Sequence, residues 1–163
     1  MRNLKRKNKV DNYLHKASKQ IVSLAKQNNI NTIVIGKNDN WKQDCNMSKK
    51  NNQNFVNIPH SRFIEMISYK CEIEGINIKL QEESYTSKAS FLDLDGIPIY
   101  GNNNSKIIFS GYRKSRGLYV SKIKGIINAD VNGSYNIIRK AIPNVFSDGI
   151  EGIGVYPTVL TVK

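Results

Sequence analysis

The order of periodic segments along this chain predicts an α/β fold. Three observations carry that reading: apolar residues at helical spacing between residues 11 and 28, a short continuous apolar run at Ile33-Val34-Ile35, and a second helix-then-strand pair between residues 59 and 81. Strands that alternate with helices point to a sheet joined by right-handed helical crossovers.

Each element follows from its residues. Leu14, Ala17, Ile21 and Leu24 repeat at helical spacing while Lys16, Lys19 and Lys26 fall elsewhere, so 11–28 reads as an amphipathic helix ended by Asn28-Asn29. Ile33-Val34-Ile35 reads as a strand buried on both faces and stopped by Gly36. Residues 37–57 are rich in Asn and Lys and read as a long loop, of a length that is usually functional or mobile. Pro59 opens a helix to about residue 74, with Ile64, Ile67 and Cys71 on one face and Gly75 as its stop. Ile76, Ile78 and Leu80 alternate with Asn77, Lys79 and Gln81, the pattern of a half-buried strand. The Gly-punctuated stretch 84–127 predicts short hairpins and loops. A last helix begins near Asp130, with Val131, Tyr135, Ile138 and Ile142 on its apolar face, and Pro143 ends it. A further strand is expected in Val155–Val162.

Lys and Arg number 25 against 13 acids, a formal charge of +12, and residues 1–50 alone carry 12 basic and 3 acidic residues. A polyanion is the natural partner of such a surface, and nucleic acid is the commonest one. Cys45 and Cys71 stand far apart, outside any CxxC spacing, which argues for a reducing compartment and against a disulfide framework. No apolar run approaches the roughly 18 residues of a membrane span. The basic start is followed by no apolar stretch, so it is not a signal peptide. A cytoplasmic protein with no membrane contact is expected.

Three segments, in order, resemble the RuvC-like region of TnpB-type (OrfB-type) insertion-sequence proteins, relatives of the type V CRISPR effectors. They are Tyr69-Lys70 followed by Gly75-Ile76-Asn77-Ile78, then Glu83-Ser84-Tyr85-Thr86-Ser87-Lys88, then Asp130-Val131-Asn132-Gly133-Ser134-Tyr135-Asn136-Ile137. The resemblance covers roughly residues 10–142. It implies a partial RNase H-like (RuvC-like) fold over 1–142, with the loop-rich insert 84–127 before the last helix and a tail over 143–163. It implies transposition and RNA-guided DNA cleavage as the ancestral setting. The family's opening three-stranded meander and its guide-RNA and DNA recognition domains have no counterpart here, so a truncated chain is expected.

The resemblance further implies a two-metal nuclease, in which carboxylates from several elements hold two Mg²⁺ about 3.5–4 Å apart. Only the last family Asp is matched, by Asp130, which would be the Mg²⁺ ligand; Gly36 stands where the family has its Glu. Glu82 and Glu83 end the neighbouring strand and are the candidate substitutes. Glu83 stands in the motif, whereas Glu82 shares the parity of Ile76, Ile78 and Leu80, and the sequence does not choose between them. Asp130 also has the residue type and position of a helix N-cap. Whether this chain is itself an enzyme is left open by these gaps. Many family members carry a four-Cys zinc ribbon after the Tyr-Thr-Ser motif. Here the stretch reads Ser90-Phe91-Leu92-Asp93, no Cys follows Cys71, and no zinc is expected. The insert should be held by Phe91, Ile97, Ile99, Phe109 and Tyr119, with Asp93 and Asp95 as loop residues.

Candidate nucleic-acid contacts are Lys49 and Lys50, beside Trp41 and Phe55; Tyr85, Thr86, Ser87 and Lys88; Arg113 and Arg116; and Asn132. The expected partners are DNA, with a guide RNA and a separately encoded N-terminal half as further candidates. The reading is therefore a DNA/RNA-binding fragment derived from a metal-dependent nuclease and inactive alone. The alternatives are a nuclease-dead nucleic-acid-binding regulator and an unrelated basic α/β binding protein.

Overall fold

The computed structural model describes residues 2–37, 59–101 and 107–162. They form two compact units, described in turn: residues 2–35, 59–79 and 160–162, and residues 36–37, 80–101 and 107–159. Both contain helix and strand, so the chain is mixed α/β.

In the first unit, α1 (Arg2–Gln27) starts well before the expected helix because Leu4 to Val10 continue the helical run on an exposed face. α2 (His60–Ile73) begins after Pro59, as expected, and ends where Gly75 turns the chain at φ +69°. Val22 and Ala25 of α1 bury with Ile67 and Cys71 of α2 and with Ile76; Ile33, Ile35 and Ile78 pack against them. Polar pairs pin the helices at both ends: Arg62 to Asp11 at 3.2 Å, and Lys26 to Glu74 at 2.5 Å. Between them the Lys70 ammonium donates to the buried Ser18 hydroxyl and to the His15 carbonyl at 3.3 Å.

Strands β1 (Thr32–Gly36) and β2 (Asn77–Gln81) are neighbours in a two-stranded sheet. The Asn77 amide bonds the Asn31 carbonyl, and the Lys37 amide bonds the Gln81 carbonyl, both at 2.8 Å. Low numbers pair with low and high with high, so the strands run parallel, as helix–strand alternation requires. The dyad pattern of β2 fails at its end: Leu80 is exposed and Gln81 half-buried.

In the second unit, β3 (Tyr112–Ser115), β4 (Leu118–Val120) and β5 (Ile126–Asn128) form an antiparallel meander with a register shift between Arg113 and Ser115. These are the hairpins expected within 84–127. α3 (Ala129–Ala141) follows β5 directly. The core is Phe91, Leu92, Tyr119, Ile127, Ala129 and Ile150. Phe91 stacks on Tyr135 at 4.5 Å and meets the edge of Phe146 at 5.0 Å. Phe91 and Tyr119 thus hold the insert as expected, whereas Ile99 is 64% exposed. Phe146, Ile150, Ile153 and Val155, read from the sequence as part of a tail, belong to this core. The expected strand at Val155–Val162 is absent. The Val155 carbonyl accepts from the Asn128 amide at 2.8 Å and the Thr161 carbonyl from the Gln20 side chain at 3.4 Å, while Val159 and Leu160 are exposed and no strand lies alongside them among the described residues.

Candidate functional site

The site lies wholly in the second unit and begins where β2 ends. Glu82 and Glu83, adjacent in sequence, are committed to different neighbours. The Glu82 carboxylate accepts from the Ser84 amide and pairs with the Lys140 ammonium of α3, which also donates to the Ser84 carbonyl at 3.1 Å. Burial works against its ionisation, but the hydrogen bonds from Lys140 and Ser84 outweigh that and hold its pKa below the usual glutamate value. Glu82 is therefore spent on an ion pair, and its candidacy as a metal-site acid falls. The parity argument in its favour fails because the alternation of β2 is already broken at Leu80.

Glu83 lies over β1. A Cβ built on Gly36 would stand 2.6 Å from Glu83 Oε2 and 2.8 Å from Ile137 Cδ1. The space that a side chain at position 36 would enter is thus filled by the Glu83 carboxylate. Burial, with the adjacent Glu82 charge adding to it, raises the pKa of Glu83.

Glu83 and Asp130 line one cleft of about 390 Å³, together with Tyr85, Ser87, Arg113 and Ser134. Asp130 is in the first turn of α3 and exposed, but it is not the cap. That role belongs to Asn128, whose Oδ1 accepts from the Asp130 and Val131 amides at 2.9 and 3.1 Å. The Asp130 carboxylate is thereby left facing the cleft wall rather than closing the helix end. Arg113, on the exposed edge strand β3, sets a cation beside the two acids.

The loop carrying Tyr85 to Lys88 is held from behind by two asparagines one helical turn apart. Asn132 Oδ1 accepts from the Phe91 amide and its Nδ2 donates to the Ala89 carbonyl, both at 2.8 Å. Asn136 Nδ2 donates to the Thr86 and Ala89 carbonyls at 3.0 and 2.8 Å. Both side chains are fully buried. The expectation that Asn132 touches nucleic acid is corrected: it has no exposed surface, and its amide is consumed by the loop. Thr86 is likewise turned inward, 3% exposed, with its hydroxyl donating to the Glu83 carbonyl at 2.7 Å. Tyr85 takes a positive φ of 66°, which sets its ring 6.5 Å from that of Phe109. Ser87, Lys88, Arg113 and Arg116 are exposed, as their assignment requires. Lys49, Lys50, Trp41, Phe55 and Cys45 lie outside the described residues.

The sequence reading missed Asn136, Arg139 and Lys140. Arg139 donates to Asn136 Oδ1 at 3.1 Å and to the Leu94 and Asp95 carbonyls at 3.2 and 3.1 Å, and burial lowers its pKa. Asn136 could have been found: it follows Asn132 by four, so both lie on one helix face. Nothing in the sequence signals the Lys140–Glu82 pair.

Residues 60–137, from the start of α2 into α3, match the family described as Cas12f1-like, TNB domain, which is related to the TnpB and Cas12 proteins. Such a family implies interaction with nucleic acid. No curated protein matches the chain. No helix among the described residues is long and apolar enough to cross a membrane.

Proposed function

We propose that this chain is a nucleic-acid-binding fragment of a TnpB-type transposon protein, with a RuvC-like, partial RNase H-like ancestry and a divalent-cation site too incomplete to cut DNA alone. The observation that carries this reading is the placement of Glu83 over Gly36, in the same cleft as Asp130 and Arg113. In this reading the Glu83 carboxylate, displaced in sequence, stands in for the Glu whose place Gly36 takes by resemblance. The order helix, strand, helix, parallel strand, insert, helix supports the ancestry.

Mg²⁺ takes hard oxygen ligands, and Glu83 and Asp130 are of that kind. These two residues would hold the ion, which when bound supplies Lewis acidity toward a phosphodiester oxygen. The chain's own groups do the rest. Arg113 attracts the phosphate, the Ser87 and Ser134 hydroxyls offer hydrogen bonds along the cleft, and the buried asparagines keep the loop from collapsing into it. Among the described residues no group of three His, Cys, Asp or Glu gathers as a metal site. Two acids are too few to hold a metal pair against water. DNA, a guide RNA and a separately encoded N-terminal half are the partners this reading assigns.

The test is incubation of the purified chain with single- and double-stranded DNA and RNA, with Mg²⁺ or Mn²⁺. Binding without cleavage is expected. Robust cleavage abolished by Asp130→Ala would overturn the incomplete-site reading, and absence of binding at low salt would overturn the nucleic-acid reading.

A further inference from the structure

We infer that two serine-headed turns, Ser90-x-x-Asp93 and Ser121-x-x-Lys124, form a metal-free counterpart of a paired zinc knuckle, in which the Asp93 carboxylate takes the place of the ion. The inference does not rest on the nucleic-acid reading.

The spacing is that of paired zinc ligands, two residues between the first and last of each turn. The local backbone also follows knuckle geometry, with each leading side chain accepting from amides two or three residues on. The Asp93 amide donates to Ser90 Oγ at 3.3 Å, and the Ile123 and Lys124 amides donate to Ser121 Oγ at 3.3 and 2.9 Å. The second turn closes through the Ser121 amide on the Gly125 carbonyl at 2.8 Å, with Gly125 at φ +99°.

These four side chains do not fit zinc: two are hydroxyls, one is an ammonium, and the one carboxylate is already engaged. Asp93 accepts from Ser90 Oγ at 2.6 Å, Ser121 Oγ at 2.7 Å, the Lys122 amide at 2.8 Å and the Ile123 amide at 3.1 Å. Both hydroxyls are buried. The polarity of a metal knuckle is inverted, so that an anion at the centre draws in four donors where a cation would draw in four thiolates. Asp95 ties a second point, accepting from the Ser90 and Ser110 amides at 2.8 and 3.0 Å. Asp93 therefore fastens the β4–β5 turn, and Asp95 fastens the segment entering β3.

Two experiments on the full chain test this. In Asp93→Asn, hydrogen exchange at the Lys122 and Ile123 amides should accelerate at least about tenfold, the loss of a charge-assisted bond, while Ser110 stays protected by Asp95. Unchanged protection at 122 and 123, or equal loss at Ser110, overturns the proposal. In the fourfold variant Ser90→Cys, Asp93→Cys, Ser121→Cys, Lys124→Cys, titration with Co²⁺ should end at one ion per chain with a tetrahedral four-thiolate absorption spectrum and a raised melting temperature. Cobalt bound by fewer than four thiolates, or no uptake, whether or not the variant folds, overturns it as well.

Discussion

A glycine and a glutamate far apart in sequence share one volume at the cleft wall. A side chain at position 36 would meet Glu83 Oε2 and Ile137 Cδ1 closer than 3.0 Å, and both are the far ends of flexible side chains. Exchange of the two should therefore be possible. Glu83→Ala is expected to weaken Mn²⁺ binding by about tenfold or more and to empty the space beside Gly36, and Gly36→Glu in that background to recover most of it, read by paramagnetic relaxation of water protons. Recovery absent from a folded double variant would separate the two positions. Asn132 carries a different burden. Asn132→Ala strands the Phe91 amide inside the protein and leaves the Ala89 carbonyl with its bond from Asn136, with an expected cost of about 2 kcal/mol in urea unfolding. A cost below about 1 kcal/mol would mean the loop holds itself.

Elements set where charge is displayed. β3 is an edge strand, exposed along its length, and Arg113 is paired with Tyr119 across the hairpin. Basic residues on an edge strand also discourage strand pairing between molecules. Nucleic-acid contact and edge protection differ in salt response. Each phosphate neutralised contributes about 0.9 to the slope of log K against log salt on duplex DNA. Replacing Arg113 and Arg116 together by Gln should lower that slope by about one to two. An unchanged slope would assign the pair to edge protection alone.

At the scale of the molecule, three shifted groups of the second unit shape stability against pH. Burial raises the Asp93 pKa, but hydrogen bonds from Ser90, Ser121, Lys122 and Ile123 more than reverse this and leave it below 3.8. Its contribution is present above 3.8 and disappears as pH falls through the lowered value. Tyr119 moves the other way: burial first, then the charges of Asp95 and Asp93, push its phenol up to about 12. Its hydroxyl donates to the Lys88 carbonyl at 2.7 Å, and that contribution is present below 10.0 and lost as pH rises toward 12. Glu83, raised by burial, is stabilising only while protonated, so its effect fades as pH rises above 4.5. Melting temperature against pH should accordingly fall steeply above pH 10, and Tyr119→Phe should remove most of that alkaline limb. An alkaline limb unchanged in Tyr119→Phe would mean that other phenols or lysines govern it.

Much of this architecture is written along the chain. Periodicity alone located both long helices and the last helix, because each carries one apolar stripe that neighbouring residues cannot disguise, and it placed the two parallel strands although β1 is only half-buried and the alternation of β2 breaks at Leu80. The composition pointed to a polyanion, and the Tyr-Thr-Ser-Lys and Asp-Val-Asn segments marked the cleft. Direction was another matter. Glu82 and Glu83 differ by one position, and only the break in β2 at Leu80 and the arrival of Lys140 from α3 send one to an ion pair and the other over Gly36. Asn132 and Asp130, two residues apart and so on opposite sides of one helix, divide into a buried clamp and an exposed acid. The serines and Asp93 converge across 31 residues, and hydrogen bonds between segments leave no periodic trace. Local sequence determines which surfaces must be buried; which polar atoms then meet depends on contacts that exist only once those surfaces have closed.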